Sequence, residues 1–191
     1  VGHRGASGYR PEHTVGAYEL AVQMGADVIE PDLVPTKDGH LVARHENEIS
    51  GTTDVSTRPE FASRRTTKSI DGVKVTGWFT EDFTLRELKT LRAVERLPQV
   101  RTRNTLYNGL FDVPTLQEVI DLAKRLSREH RRTIGVIPET KHPTYFKRIG
   151  LPLEPRVIEI VKRNGLDRPD GRLILQSFEP TSARTLDRAL R

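Results

Sequence analysis

The chain has no cysteine, so it forms no disulfide and offers no thiolate to a metal, and this absence leaves the cellular compartment open. Aromatic residues make up only 6%, too few for a stacking platform on single-stranded nucleic acid, and no nucleic-acid partner is expected. They are also too few for aromatic-lined sugar subsites. No apolar run approaches the ~20 residues that a membrane-spanning helix needs. There is no low-complexity tract and no internal repeat beyond an alternation of strand-like and helix-like segments. An initiator Met is also missing. Val1-Gly2-His3-Arg4-Gly5 carries no basic leader and reads as the inside of a buried strand, so flanking sequence is expected to precede it.

What is present suits one domain: 191 residues with 35% hydrophobic content, enough for a sizeable core. Lys+Arg 31 against Asp+Glu 26 gives a formal charge of +5, mildly basic and compatible with an anionic substrate. The chain is organised around Asp27-Val28-Ile29-Glu30-Pro31-Asp32-Leu33-Val34. Residues two apart on a strand point to one face, so Glu30 and Asp32 aim at one place. Two anionic groups held together there call for a cation, a proton or a dense hydrogen-bond set.

In chain order, a first strand ends at His3-Arg4-Gly5 and a loop with Gly5 and Gly8 as flexible points follows. Thr14 caps a helix running to Met24, with Ala17, Ala21 and Met24 on one face and Gly25 as the stop. The second strand is expected over 28–34, with Pro31 near its exit. After a turn at Lys37-Asp38-Gly39, the third is expected over 41–45. From 47 to about 83 the pattern dissolves into Ser, Thr, Gly, Arg and Lys, too long for an ordinary connection. This stretch reads as an inserted subdomain or lid, with Trp78 and Phe79 as its small core. Thr84-Leu85-Arg86-Glu87 and Thr115-Leu116-Gln117-Glu118 are capping boxes. The second leads an amphipathic helix through Val119, Ile120, Ala123 and Leu126, whose basic end at Arg128 to Arg132 reads as a solvated face. Thr133 to Lys141 repeats the opening logic: an apolar strand, a proline, then Glu139 and Lys141 two apart. A helix with Pro155 in its first turn, a fifth strand over 173–178 and a last helix opened by Pro180 complete the order. The alternation indicates α/β with a parallel sheet. Polar strand ends fit a (β/α)₈ TIM barrel whose catalytic groups gather at the C-terminal mouth, with only about the first five βα units present.

The ordered set His3-Arg4-Gly5, Pro11-Glu12-His13-Thr14, Glu30-Pro31-Asp32, His45-Glu46, Glu139-Thr140-Lys141 and Gln176-Ser177-Phe178 resembles the motifs of the glycerophosphodiester phosphodiesterases. The match extends from Val1 to Phe178. Two positions depart from the commoner pattern: His13 stands where Asn is usual, and Glu46 where Asp follows the histidine. The resemblance implies a (β/α)₈ barrel and a divalent metal, Ca²⁺ first with Mg²⁺ or Mn²⁺ as alternatives. It also implies hydrolysis of a small glycerophosphodiester to glycerol 3-phosphate and an alcohol, a step of lipid and glycerol metabolism. Carried over residue by residue, Glu30, Asp32 and Glu139 are metal ligands and His3 and His45 the general acid and base. Arg4, Lys141 and Glu12 complete the immediate surroundings of the substrate, and Gln176 sits at the rim. The 47–83 segment resembles the insertion of exported bacterial members, which implies a periplasmic or secreted location.

The residues support this chemistry on their own terms. Three carboxylates without cysteine suit Ca²⁺, Mg²⁺ or Mn²⁺ better than Zn²⁺. Attack on a phosphodiester builds negative charge that Arg4, as a planar fork, and Lys141, as a point charge, can offset. Two imidazoles, a side chain that ordinarily titrates near neutrality, can take one proton and give another. Two other classes fit parts of the pattern. A glycoside hydrolase also sets carboxylates at a barrel mouth, but it requires neither the His-Arg-Gly opening nor Lys141. A non-catalytic barrel fragment that binds phosphate or metal would show chelator-sensitive melting without turnover.

Overall fold

The structure, a computed structural model, describes residues 1–168 and 172–190. Strand β1 (Gly2–His3) leads through a loop to helix α1 (Val15–Gln23). Thr14 caps α1 by accepting from the Ala17 N–H, and Gly25 follows at φ 99°. Its buried face is Ala17, Tyr18, Ala21 and Val22, whereas Met24, expected on that face, is exposed. The reason is the end of the helix: Met24 is its C-cap and turns away from the core.

The second strand is not continuous. It divides into β2 (Val28–Glu30) and β3 (Asp32–Pro35), because Pro31 has no N–H to give to the ladder. The same division recurs in the neighbouring segment, β7 (Gly135–Val136) and β8 (Glu139–Thr140), around Pro138. Both proline carbonyls still accept cross-strand bonds, Pro31 from the Glu139 N–H and Pro138 from the Gln176 N–H. The pieces therefore form one kinked parallel layer in the order β1, β2/β3, β7/β8 and β9 (Gln176–Ser177).

The third strand also departs from expectation. β4 (Leu41–Ala43) pairs antiparallel with β3 through the turn at Gly39, φ 79°, because the connection is too short for a parallel crossover. It ends before His45. Its far edge meets Thr115 and Pro114 rather than another long strand.

Within 47–83, strands β5 (Thr66–Ile70) and β6 (Val73–Gly77) form a hairpin. Ile49, Val55, Phe61, Trp78 and Phe83 belong to the same buried cluster as Leu33, Val42 and Leu116. The Trp78 ring donates its N–H to the Phe61 carbonyl at 2.7 Å, and Phe79 is fully buried.

Helix α2 (Leu85–Leu88) is one turn, closed by the capping box of Thr84 and Glu87. Helix α3 (Leu116–Glu129) carries the second box and buries Val119, Ile120, Ala123 and Leu126, as its spacing requires. Helix α4 (Pro143–Arg148) follows β8, opened by Pro143. Helix α5 (Glu154–Arg163) buries Val157 and Val161, and α6 (Pro180–Ala189) buries Leu186.

Candidate active site

Strand register brings the carboxylates together. In the parallel layer His3 lies beside Glu30, and one step beyond the prolines Asp32 lies beside Glu139, which lies beside Gln176. Glu30, Asp32 and Glu139 are all buried, and one oxygen of each lies within 4.8 Å of the others. Part of each group is already held. Glu30 Oε2 accepts from the Arg4 backbone N–H at 3.1 Å, and Asp32 Oδ2 contacts His13 Nε2 at 2.8 Å. Glu139 accepts from Lys141 at 2.9 Å and from the Gln176 amide at 2.7 Å. Glu30 Oε1 and Asp32 Oδ1, by contrast, are buried with no hydrogen-bond partner.

This crowding divides the acidities. Burial, then the charge of Asp32, pushes the Glu30 carboxyl up to about 8. Burial would raise Asp32 too, but the hydrogen bond and charge of His13, with Lys141 beyond, hold it well below the usual carboxylate range. A buried carboxylate pair of this kind is stabilised by a cation. Three oxygen donors, two of them with an unpartnered buried oxygen, fit a hard divalent ion such as Ca²⁺, Mg²⁺ or Mn²⁺.

The remaining predicted residues surround this cluster. The His3 ring is mostly exposed, with Nε2 4.0 Å from Glu30 Oε2. Arg4 reaches Asp32 Oδ2 with Nε at 3.3 Å and Glu12 Oε1 with Nη1 at 3.3 Å. Glu12 itself is buried, its second oxygen taken by Arg96 at 2.9 Å, so it faces two arginines rather than open space. Lys141 Nζ lies 3.2 Å from His45 Nε2 and 3.9 Å from Asp32 Oδ1. Glu46, next to His45, places Oε1 2.6 Å from the His45 Nδ1.

The loop that carries Arg4, Glu12 and His13 is shaped by backbone constraint. Arg4 and His13 adopt φ 58° and 56°, the left-handed region, and the His13 N–H bonds the Arg4 carbonyl. Gly5 (φ 79°) packs against the Ala17 backbone so closely that an added Cβ would lie 2.6 Å from the Ala17 carbonyl carbon. Three supporting residues had no assigned role in the sequence reading. Arg44, fully buried, donates from Nη1 to the carbonyls of Glu12, His13 and Ala43. Its signal was a lone charge ending an apolar run. His13 stands between Asp32 and the Tyr18 hydroxyl, 2.7 Å from its Nδ1; it was visible only as a departure from the usual Asn. Arg96 left no signal, since it lies in an irregular segment.

A profile of the Glycerophosphoryl diester phosphodiesterase family matches residues 3–191. Glycerophosphodiester phosphodiesterase GDPD6 of Arabidopsis thaliana is 38% identical over 197 residues, covering 95% of this chain and 50% of that protein. The glycerophosphodiester phosphodiesterase of Haemophilus influenzae is 31% identical, covering 94% and 49%. The chain thus spans about half the length of these curated relatives. Among solved structures, the glycerophosphodiester phosphodiesterase of Agrobacterium tumefaciens aligns with TM-score 0.66 at 24% identity, covering 98% of this chain and 61% of that one. An Oleispira antarctica phosphodiesterase, solved in complex with the product sn-glycerol-3-phosphate, aligns with TM-score 0.65 at 22% identity, covering 97% and 60%. These likenesses place the fold in the (β/α)₈ TIM-barrel class, although the strands among the described residues do not close a barrel. Every segment that supplies a side chain to the acidic cluster falls within the matched residues, and the chain belongs to the glycerophosphoryl diester phosphodiesterase family.

Proposed function

We propose that this chain forms the site of an enzyme that hydrolyses small glycerophosphodiesters to glycerol 3-phosphate and an alcohol. The observation that carries the reading is the meeting of Glu30, Asp32 and Glu139 within 4.8 Å of one another, bordered by Arg4, Lys141 and two imidazoles. The three carboxylates are the residues that would hold a divalent cation, Ca²⁺ in the first instance and Mg²⁺ or Mn²⁺ otherwise. Bound there, the cation would polarise the phosphoryl oxygens and offset the charge that develops on them. Arg4 and Lys141 add two fixed positive groups to the same face, where they bind the phosphoryl oxygens and strengthen that offset as charge builds. Glu12 and Arg96 fix the Arg4 fork, and Gln176 fixes Glu139.

His3 and His45 divide the two proton transfers, one from the attacking oxygen and one to the leaving alkoxide. The attacking oxygen is water or the glycerol C2 hydroxyl; the second route passes through a cyclic phosphate, and trapping that product distinguishes the two. Replacing His3 or His45 by Ala in the full-length protein is expected to lower glycerophosphocholine turnover by about 10²–10⁴-fold, with metal affinity by calorimetry nearly unchanged. Wild-type turnover in either variant would overturn the acid and base assignment. Chelator-sensitive melting with no turnover in the wild type would instead favour a non-catalytic binding module. Turnover of a nitrophenyl glycoside in place of the phosphodiester would favour the glycoside hydrolase.

The same reading makes 47–83 an insertion of the exported members of the family and places the protein outside the cytoplasm. Fractionation of the native host with an antibody to the chain checks the location, and recovery in the cytosol alone would remove it.

A further inference from the structure

We propose that Asp71 and His142 are positioning residues for His45, acting through Glu46, so that the tip of the β5–β6 hairpin sets the orientation of a group at the proton-transfer site. The proposal rests on the reading of His45 as one of the two proton-transfer groups. Its structural part, a chain of contacts running from the hairpin tip to the His45 ring, stands on geometry alone.

The chain begins at the ring. Lys141 Nζ lies 3.2 Å from His45 Nε2. An ammonium only donates, so Nε2 of the neutral ring is the acceptor and the proton sits on Nδ1. That nitrogen faces Glu46 Oε1 at 2.6 Å. The approach is short but off the axis of the ring N–H, which has no geometrically sound hydrogen bond, so Glu46 acts on the ring through its charge and its position. Glu46 is half exposed, and an exposed glutamate left alone samples several rotamers. Here its second oxygen, Oε2, is held by His142 Nε2 at 3.2 Å. The other nitrogen of His142, Nδ1, meets Asp71 Oδ2 at 2.5 Å.

Asp71 and His142, the two residues beyond Glu46, sit in segments with contacts of their own. Asp71-Gly72 is a two-residue hairpin turn with φ 49° and 87°, closed by the Ile70–Val73 pair, the conformation in which Asp-Gly is favoured. Lys68, on the same hairpin, bonds Glu81 at 3.0 Å and Asp82 at 2.8 Å. The Tyr145 hydroxyl donates to that same Glu81 at 2.7 Å. Tyr145 lies on α4, the helix that His142 caps and Pro143 opens. The segments bearing Asp71 and His142 are thus joined twice, once at the buried Glu81 and once at the relay itself. A scattered surface ion cluster has no such second attachment.

The test uses the full-length protein with divalent metal and glycerophosphocholine. Glu46→Gln and His142→Gln are expected to lower kcat on the order of 10–100-fold, and Asp71→Asn on the order of 10-fold, by analogy with the range for partners that orient a metal-bound imidazole. KM is expected to change less than twofold and the melting temperature to hold. Asp71→Glu is expected to restore most of the loss, and Asp71→Asn added to Glu46→Gln to cause no further loss, because the two act in series. Independently of activity, long-range proton–nitrogen NMR is expected to show His45 as the Nδ1–H tautomer in the wild type and as a mixture in Glu46→Gln and Asp71→Asn. An unchanged tautomer, losses that multiply in the double variant, or an effect confined to KM would overturn the proposal. Full activity in His45→Ala would instead remove the proton-transfer reading, with the NMR result still deciding the relay.

Discussion

At the scale of single residues, the site is a problem of charge in a small volume. Glu30 has the higher pKa of the pair because it is buried and faces Asp32, while Asp32 has His13 and Lys141 to favour its charge. Between 4.5, the ordinary value, and about 8, the metal-free folded chain therefore holds a proton on Glu30 that the unfolded chain has lost. Stability contributed by Glu30 is full below pH 4.5 and falls as pH rises through about 8. Melting in chelator across that window is expected to show a downward slope that Glu30→Gln removes, and the difference between the two curves isolates Glu30 from the histidines. The same proton competes with metal, so affinity by calorimetry is expected to rise with pH until about 8 and then level off. A flat affinity profile would mean that Glu30 is not a ligand. Arg44 presents the other residue-scale case. Burial lowers it to about 10, yet it stays charged and ties the carbonyls of Glu12 and His13 to β4. Arg44→Met leaves those buried acceptors unpaired and is expected to destabilise by about 3 kcal/mol in urea titration.

At the scale of elements, two prolines set the geometry. Pro31 and Pro138 interrupt adjacent strands at matching levels, and the ladder resumes with Asp32 opposite Glu139. Both exits were readable, since each motif ends in proline followed by an acid. The break itself was not, because propensity does not say on which side of a proline pairing resumes. The antiparallel β4 was equally hidden: an apolar run looks the same in either direction, and only the short turn at Gly39 decides. Helix ends were far more legible, because capping is local chemistry. Thr115 accepts from the Glu118 N–H while Glu118 accepts from the Thr115 N–H. Thr115→Ala is expected to cost about 1 kcal/mol by chemical denaturation, with little effect on the acidic cluster, to which α3 supplies no side chain.

At the scale of the whole molecule, the acidic cluster joins two segments far apart in sequence, Glu30 with Asp32 and Glu139, and a cation held there would link them. Metal that binds only the folded chain stabilises it by about 2.7 kcal/mol at a concentration 100 times its Kd. Calorimetric melting is expected to rise with Ca²⁺ or Mn²⁺, to return to its starting point with chelator, and to lose its metal response in Glu139→Gln. A response that survives this substitution would place the metal elsewhere. The hairpin over 66–77 belongs to this scale as well, because Lys68 and Asp71 tie it to parts of the chain that sequence alone leaves unrelated.

The sequence by itself determined the features that depend on neighbours along the chain: the caps at Thr14, Thr84 and Thr115, the turns at glycine, the apolar faces of the long helices, and the six motifs that mark the family. Only the tertiary structure decided which strands lie side by side and in what register. That register turned separate acids into a single cluster and set Arg44, His13 and Arg96 behind it. The physical reason is range. Capping and turn preferences act over three or four residues, whereas Asp32 meets Glu139 only after the packing of the segments between them has been settled.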